Sequence, residues 1–275
     1  MTGTERLREY DFTRRHFNAL RAKANEYSGI QVSDDKYEMF YARLAKRLRA
    51  LKITSFDDYV RLVGSDTGEF KAFINAITTN VTAFEREPHH FAFLKQALSE
   101  LPSQSVAIWS AGCSSGQEPY SIIVNAWDIC QRRRLPLSIT ATDLDTDVLE
   151  RASQGIYKLE DIAMYDTAVK RKFFEKGTGS REGFCRVKKA YRQLITFKQL
   201  NLIHPWQAKP QYQFIFCRNV LIYFDGPQKQ RIINQFADCL LPRGILMLGH
   251  SESLQQANTR FENIGKNVYR KREEG

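Results

Sequence analysis

Hydrophobic and polar positions follow two different rhythms along this 275-residue chain. Up to about Asn75 the spacing is helical. FTRRHFNALRAKANEYSG places apolar residues on one helical face and stops at Gly29, a residue suited to the left-handed position that ends a helix. SDDKYEMFYARLAKRLRALK opens at Ser33, carries acids in its first turn and closes on bases, the order that suits the helix dipole. SFDDYVRLV and TGEFKAFINAIT predict two more helices, with Ser55 and Thr67 as caps. Residues 1–75 are therefore expected to form a small all-helical domain, and no catalytic constellation stands out within it.

From about residue 105 the rhythm changes. SVAIWSAGC, SITATDLD, YQFIFCRNV and GILMLGHSE each have a short apolar core that ends in small or polar residues. Amphipathic stretches alternate with them: EPYSIIVNAWDICQRRR, TDVLERASQ and GPQKQRIINQFADCLL. Short buried strands alternating with helices predict an α/β fold with a parallel, Rossmann-like sheet over 105–275. Ligands in such sheets bind beyond the carboxyl ends of the strands, which singles out the residue closing each strand. Residues 76–104 are expected to be a linker that contributes to the same site.

The exit of the first strand, WSAGCSSGQEPYSI, carries the most chemistry. Gly112 and Gly116 permit a tight turn and close approach of a ligand to the backbone. Asp143, closing the second strand in TDLD, is placed to accept hydrogen bonds from a ribose diol. Strand, glycine turn, helix, strand and acid together predict a nucleoside site, a pattern that dinucleotide enzymes share. The turn is not GxGxxG, however, and Glu118 stands where a pyrophosphate would meet the helix N-terminus. A carboxylate there repels phosphate and favours a cation, so S-adenosylmethionine, with its ribose, ammonium and sulfonium, fits better. The competing reading makes Glu118 a helix-start residue favoured by the dipole alone. Just upstream, ITTNVTAFEREPHHF offers Asn80, Thr82 and Arg86, an amide, a hydroxyl and a guanidinium suited to clamp an amino-acid carboxylate. Taken alone it also reads as a polar linker, with His89 and His90 structural; no metal site is expected.

Composition narrows the setting. The five cysteines are scattered, odd in number and without a CxxC pair, as expected of reduced thiols. No apolar run reaches the length of a transmembrane helix, and MTGTERLREYDF has no apolar signal region, so a cytoplasmic location without membrane insertion is expected. The net charge of +10 calls for an acidic partner. Two basic regions stand out. One is the helix with Arg43, Lys46, Arg47, Arg49 and Lys52. The other is residues 170–198, with ten Lys or Arg against two Glu, read as part of a small antiparallel insertion at about 165–198. A solvated basic face accounts for either region almost as well. Two rival functions follow from the residues alone. A nucleic-acid methyltransferase is disfavoured because FCRNV, and not an NPPY-like or DPPY-like segment, closes the fourth strand, and because Cys113 lies in the turn. A non-catalytic sensor that binds the cofactor or another nucleotide and recruits a partner through its basic surfaces would be separated from an enzyme by cofactor turnover.

NVTAFERE-PHHF, WSAGCSSGQEPYSI, ATDLD, NL and FCRNVLIYFD, in this order and spacing, resemble the chemoreceptor glutamate O-methyltransferases of the CheR type. The likeness covers nearly the whole chain and includes the closing FENIGKNVYRKR. It implies an S-adenosylmethionine-dependent enzyme that esterifies glutamate side chains on the cytoplasmic helices of methyl-accepting chemotaxis receptors and leaves S-adenosylhomocysteine. It implies no nucleic-acid partner. By matching positions it further implies cofactor contacts at Asn80, Thr82, Arg86, Gly112, Glu118 and Asp143. Asn201 and Leu202, with Arg218 and Asn219, would lie around the adenine and the floor of the active site. Tyr223 would lie near the transferred methyl and orient the reacting groups, and Arg86 would fix the cofactor or the incoming carboxylate. The insertion would be a β-subdomain that contacts receptors, in some members through a peptide at the receptor's tail. One position departs from the pattern: Glu85 stands where the family usually has a second phenylalanine, which bears on local packing more than on chemistry.

Overall fold

The computed structural model describes residues 8–206, 212–254 and 260–273; the start of the N-terminal stretch read for a signal lies outside them. The chain divides into two compact units, one ending at Thr79 and the other beginning at Asn80. Among the described residues no helix is long and apolar enough to cross a membrane.

The first unit holds α1 (Arg14–Ser28), α2 (Tyr37–Leu51), α3 (Phe56–Ser65) and α4 (Thr67–Ile77). Phe17, Leu20, Phe40, Leu44, Phe56, Tyr59 and Phe73 make its core. The helices end where their local chemistry dictates. Thr13 caps α1 through a reciprocal pair with His16, and Gly29 closes it at φ 73° with its N–H on the Asn25 carbonyl. Ser55 caps α3 by accepting from the Asp58 amide at 3.1 Å. Two caps differ from the expectation. Asp66, not Thr67, caps α4, accepting from the Glu69 amide at 2.7 Å, because a carboxylate at that position outcompetes the hydroxyl one residue inside the helix. Ser33 precedes a short 3₁₀ turn, Asp34–Lys36, and α2 begins only at Tyr37. Glu69 is buried and accepts from the Tyr59 hydroxyl at 2.8 Å and from the Arg47 guanidinium at both oxygens. Arg43 donates to the carbonyls of Ala76 and Thr78. Two members of the basic helix are therefore spent on internal contacts, while Lys46, Arg49 and Lys52 are exposed, with Arg49 3.2 Å from Glu9.

The second unit opens with α5 (Pro88–Glu100), so a large part of the stretch expected to be a linker is helix; Pro88 suits its first turn, where no amide hydrogen is needed. Then come β1 (Val106–Ala111), α6 (Gln117–Arg132), β2 (Leu137–Asp143), α7 (Thr146–Gln154), β3 (Ile156–Lys158), α8 (Thr167–Phe173), β4 (Phe174–Lys176), β5 (Phe184–Val187), α9 (Lys189–Arg192) and β6 (Ile195–Gln199). After them follow β7 (Tyr212–Cys217), α10 (Gly226–Cys239), β8 (Leu240–Leu248), β9 (Phe261–Gly265) and β10 (Val268–Lys271). The main sheet has the order β6-β2-β1-β7-β8-β10-β9. Its β6-β2-β1-β7-β8 part is parallel, and β10 and β9 extend it as an antiparallel hairpin. Helices cover both faces: Ile108, Phe214 and Met247 point to the side of α5 and α6, and Ile215, Leu246 and Leu248 to the side of α10. The central strands β1 and β7 are buried nearly throughout, as parallel strands covered on both faces are. All five cysteines are free and buried.

The insertion is a three-stranded antiparallel sheet of order β3-β5-β4. It differs from the boundaries read at about 165–198. Its first strand starts at Ile156, while Ile195–Gln199 pairs in parallel with β2 and belongs to the main sheet. A basic, alternating run cannot announce which sheet it will join, because the pairing partners are remote in sequence.

Candidate functional site

Because β6, β2, β1, β7 and β8 run parallel, their exits fall along one edge of the sheet. That edge gathers Gly112, Asp143, Asn201, Leu202, Arg218, Asn219 and Tyr223 from distant parts of the chain. After β1, the Gly112 and Cys113 amides both donate to the Thr142 carbonyl of β2, at 2.8 and 2.9 Å. Gly112 sits at φ 79°, and a Cβ there would come within 2.3 Å of the Val220 side chain. Only glycine satisfies both the dihedral and the close approach of the β7 loop.

Asp143 holds this turn in place. Its Oδ2 accepts from the Ser114 amide at 2.8 Å and its Oδ1 from the Asp145 amide at 3.0 Å. Burial pushes its carboxyl upward in pKa, while those two amides pull it back down. Each oxygen keeps a further lone pair, and the side chain remains partly accessible. Asn80 joins the same cluster, donating to Asp145 Oδ2 at 2.7 Å and receiving the Ser114 hydroxyl on its carbonyl at 3.1 Å.

Glu118, in the first turn of α6, is buried and has one side-chain partner on each oxygen. Ser110 donates to Oε1 at 2.6 Å, and Arg218 Nε lies 2.9 Å from Oε2, close enough for an ion pair although the N–H does not point along a hydrogen bond. Burial pushes the Glu118 carboxyl upward; Arg218 and Ser110 oppose it. Arg218 is itself buried, stacked over Phe91 at 5.3 Å and 3.4 Å from His90 Nδ1. Glu118, expected to face a cation, and Arg218, expected around the adenine and the active-site floor, also pair with each other.

Thr82 and Arg86 lie half-buried in the segment before α5. Arg86 Nη1 donates to the Val81 carbonyl at 3.0 Å. Its neighbours on both sides, Glu85 and Glu87, take left-handed backbone at φ 54° each. Non-glycine residues hold that conformation only where the surroundings enforce it. Here the carboxylates do so. Glu85 Oε1 accepts from Tyr165 at 2.7 Å and from Asn125 at 2.8 Å, and Glu87 Oε1 takes the His250 amide at 3.2 Å and its ring Nδ1 at 3.0 Å. Where the family usually carries a phenylalanine, this chain thus builds a polar anchor. Burial, with the Glu85 charge beside it, raises the Tyr165 hydroxyl.

Donor atoms of Glu87, His89 and His90 lie within 4.8 Å of one another. The buried His90 faces the Lys266 carbonyl with Nε2 at 3.2 Å, and Arg218 sits beside its other nitrogen. Burial, with Arg218 next, lowers its pKa to about 4. A neutral imidazole next to a guanidinium acts as a packing and hydrogen-bonding group, and that positive charge opposes a cation.

The β7 exit completes the edge. Leu202 is buried, and Asn201 turns its own chain, with Oδ1 accepting from the Ile203 amide at 3.3 Å. Asn219 adopts φ 60°, and its Oδ1 is a buried acceptor with no protein partner. Leu221–Tyr223 form a 3₁₀ turn that presents a half-buried Tyr223. One residue was missed from the sequence: Glu252, whose buried carboxylate receives four main-chain amides of this region. The only signal in the chain was an acid shortly after a strand end, in GHSE.

Residues 80–270 match the family described as the CheR methyltransferase SAM-binding domain, and residues 15–78 match its all-alpha domain. The chemotaxis protein methyltransferase 2 of Pseudomonas aeruginosa is 39% identical over 264 residues, covering 95% of this chain and 94% of that protein. The chemotaxis protein methyltransferase of Escherichia coli is 39% identical over 269 residues, covering 97% and 93%. That of Klebsiella aerogenes is 40% identical over 257 residues, covering 92% and 88%.

Proposed function

The chain belongs to the CheR methyltransferase family and is an S-adenosylmethionine-dependent methyltransferase, and from that premise we propose that it methylates glutamate carboxylates on the cytoplasmic helices of chemotaxis receptors. The observation that carries this reading is the half-buried Asp143 carboxylate, fixed by two amides at the exit of β2, with the unpartnered Asn219 Oδ1 at the exit of β7 on the same edge of the sheet. An acceptor pair of this kind fits a ribose diol and a ligand N–H, so the residues present suit the cofactor.

In this reading Asp143 holds the ribose, and Leu202, with Asn201, borders the adenine. Asn219 supplies an acceptor. Glu118, with lone-pair capacity beyond Ser110 and Arg218, takes the ammonium, while Asn80 and Thr82 line the approach and Gly112 lets the backbone come close. Arg86 fixes the carboxylate of the cofactor or of the incoming glutamate. Tyr223 orients the reacting groups through its hydroxyl. When bound, the cofactor would supply a methyl carbon activated by its positive sulfur, and a carboxylate oxygen would bond to that carbon as the carbon–sulfur electron pair left with the sulfur. A glutamate side chain, with an ordinary pKa of about 4.3, is already ionised near neutrality and needs no base. The protein has only to exclude water and hold the line of attack.

The three-stranded insertion supports receptor contact. Its outer strands β3 and β4 each have one strand neighbour, and Phe184 of the central strand is exposed among basic residues, a surface suited to an acidic or aromatic tail peptide. A cytoplasmic location follows from such a substrate.

The test is the bond formed. With label on the methyl and purified receptor domains as acceptor, mild alkali should release volatile methanol, and the rate should lack the rising limb that a base titrating near neutrality imposes. Alkali-stable label, or label on nucleic acid alone, would overturn the ester.

A further inference from the structure

We propose that Glu252 is a positioning residue for methyl transfer, setting the backbone of the loop that carries Asn219 and Tyr223. Its Oε2 accepts from the amides of Asn219 and Gly249, each at 2.7 Å. Its Oε1 accepts from Val220 at 2.8 Å and Leu221 at 2.6 Å. The side chain is 5% exposed, and these four bonds are all to main chain. One carboxylate thus gathers three successive amides after β7 and one after β8.

The loop requires such a fixture. Asn219 is left-handed at φ 60°, a conformation that costs a non-glycine residue energy unless its surroundings hold it. The Leu221–Tyr223 turn leaves its first amides without intrahelical acceptors, and Glu252 supplies them. Space is as restricted as the hydrogen bonding. A Cβ on Gly249 would lie 2.8 Å from both the Asn219 nitrogen and Glu252 Oε2. A charged acceptor of several convergent amides is stronger and more directional than a neutral one, so it can define the path of this loop. The same post-β8 segment reaches the other side of the site, since His250 holds Glu87 beside Arg86. Glu252 need not touch substrate or cofactor. It acts by where it puts Tyr223 and the Asn219 Oδ1, and the inference rests on the roles proposed for those two residues.

The experiment is a double-mutant cycle with purified enzyme, cofactor and receptor domain, using Glu252→Gln, Tyr223→Phe and the pair. Glu252→Gln keeps the shape but turns an amino group toward two of the four amides. We expect kcat to fall at least tenfold, with KM for receptor within about threefold and KM for cofactor raised by less than the loss in kcat, the pattern of an interaction made mainly in the transition state. The pair should lose much less than the product of the single losses, because both changes disturb one element. As a control for general destabilisation, Gln213→Ala removes a buried amide that binds Ala107, Ser103 and Ser105 at the opposite end of the sheet. That variant should lower the melting temperature and leave kcat unchanged. Should Glu252→Gln fail to fold, Glu252→Asp, whose shorter arm reaches fewer amides, should show the same split more weakly. A kcat within twofold of wild type in the folded variant, a loss carried by KM alone, or fully multiplicative losses in the pair would each overturn the positioning role. Wild-type kcat in Tyr223→Phe would instead overturn the role of Tyr223, and with it Glu252 as acting through that residue.

Discussion

Glu69 of the helical unit and Glu252 of the sheet unit are both buried, and they are satisfied in opposite ways. In the helical unit Glu69 is met by side chains, the Tyr59 hydroxyl and the Arg47 guanidinium, which tie α2, α3 and α4 together. In the sheet unit Glu252 is met by four backbone amides and shapes a loop. Asp143 follows the second pattern, with the amides of Ser114 and Asp145. A carboxylate bonded to side chains fastens elements whose backbones are already satisfied. One bonded to amides replaces the secondary structure a loop lacks. At Glu69 the first arrangement serves stability; at Glu252 and Asp143 the second fixes the positions of residues proposed to meet a ligand.

The largest effect expected from this contrast is at Asp143. Asp143→Ala should remove both the ribose acceptor and the anchor of the Ser114 turn. Calorimetric titration with cofactor should show affinity weakened by about 1.5–3 kcal/mol, roughly ten- to more than a hundredfold. An unchanged dissociation constant would place Asp143 with Glu69, as a structural acid only. Next comes Glu69→Ala, which strands a buried Tyr59 hydroxyl and the Arg47 guanidinium. Unfolding of the helical unit should become easier by about 3 kcal/mol, with kcat retained at temperatures where it stays folded. A kcat loss without a stability loss would break the division between the units. The smallest effect concerns the basic helix. Lys46→Ala should change KM for receptor by less than about twofold and flatten its salt dependence slightly, since an exposed charge acts through screened steering. Arg43→Ala should cost stability through the lost Ala76 and Thr78 bonds. A large KM change from Lys46 alone would make this helix a docking surface after all.

Much of this molecule was legible before any fold was seen, and the legible parts share a physical cause. Helical periodicity, caps such as Ser55, and the stop at Gly29 depend on residues a few positions apart. The parallel sheet followed from short apolar runs alternating with amphipathic ones, and its edge then pointed to Gly112 and Asp143. Motif order supplied the rest of the candidate site, including Asn80, Arg86 and Tyr223.

What only the tertiary structure decided were pairings across long separations. Glu118 and Arg218 are a hundred positions apart, and no local pattern says that one neutralises the other. Glu85 breaks the family pattern in sequence, yet Tyr165 and Asn125, brought in by other elements, turn it into an anchor. Arg43 and Arg47 read as a free basic face until their partners were in place. Ile195–Gln199 read as part of the insertion until its pairing with β2 was seen. Glu252 carried almost no signal, because its partners are backbone amides, which every residue but proline possesses and no sequence can mark. Periodicity and turn chemistry are properties of neighbours in the chain and can be read there. The partner of a buried charge is a property of the packed fold.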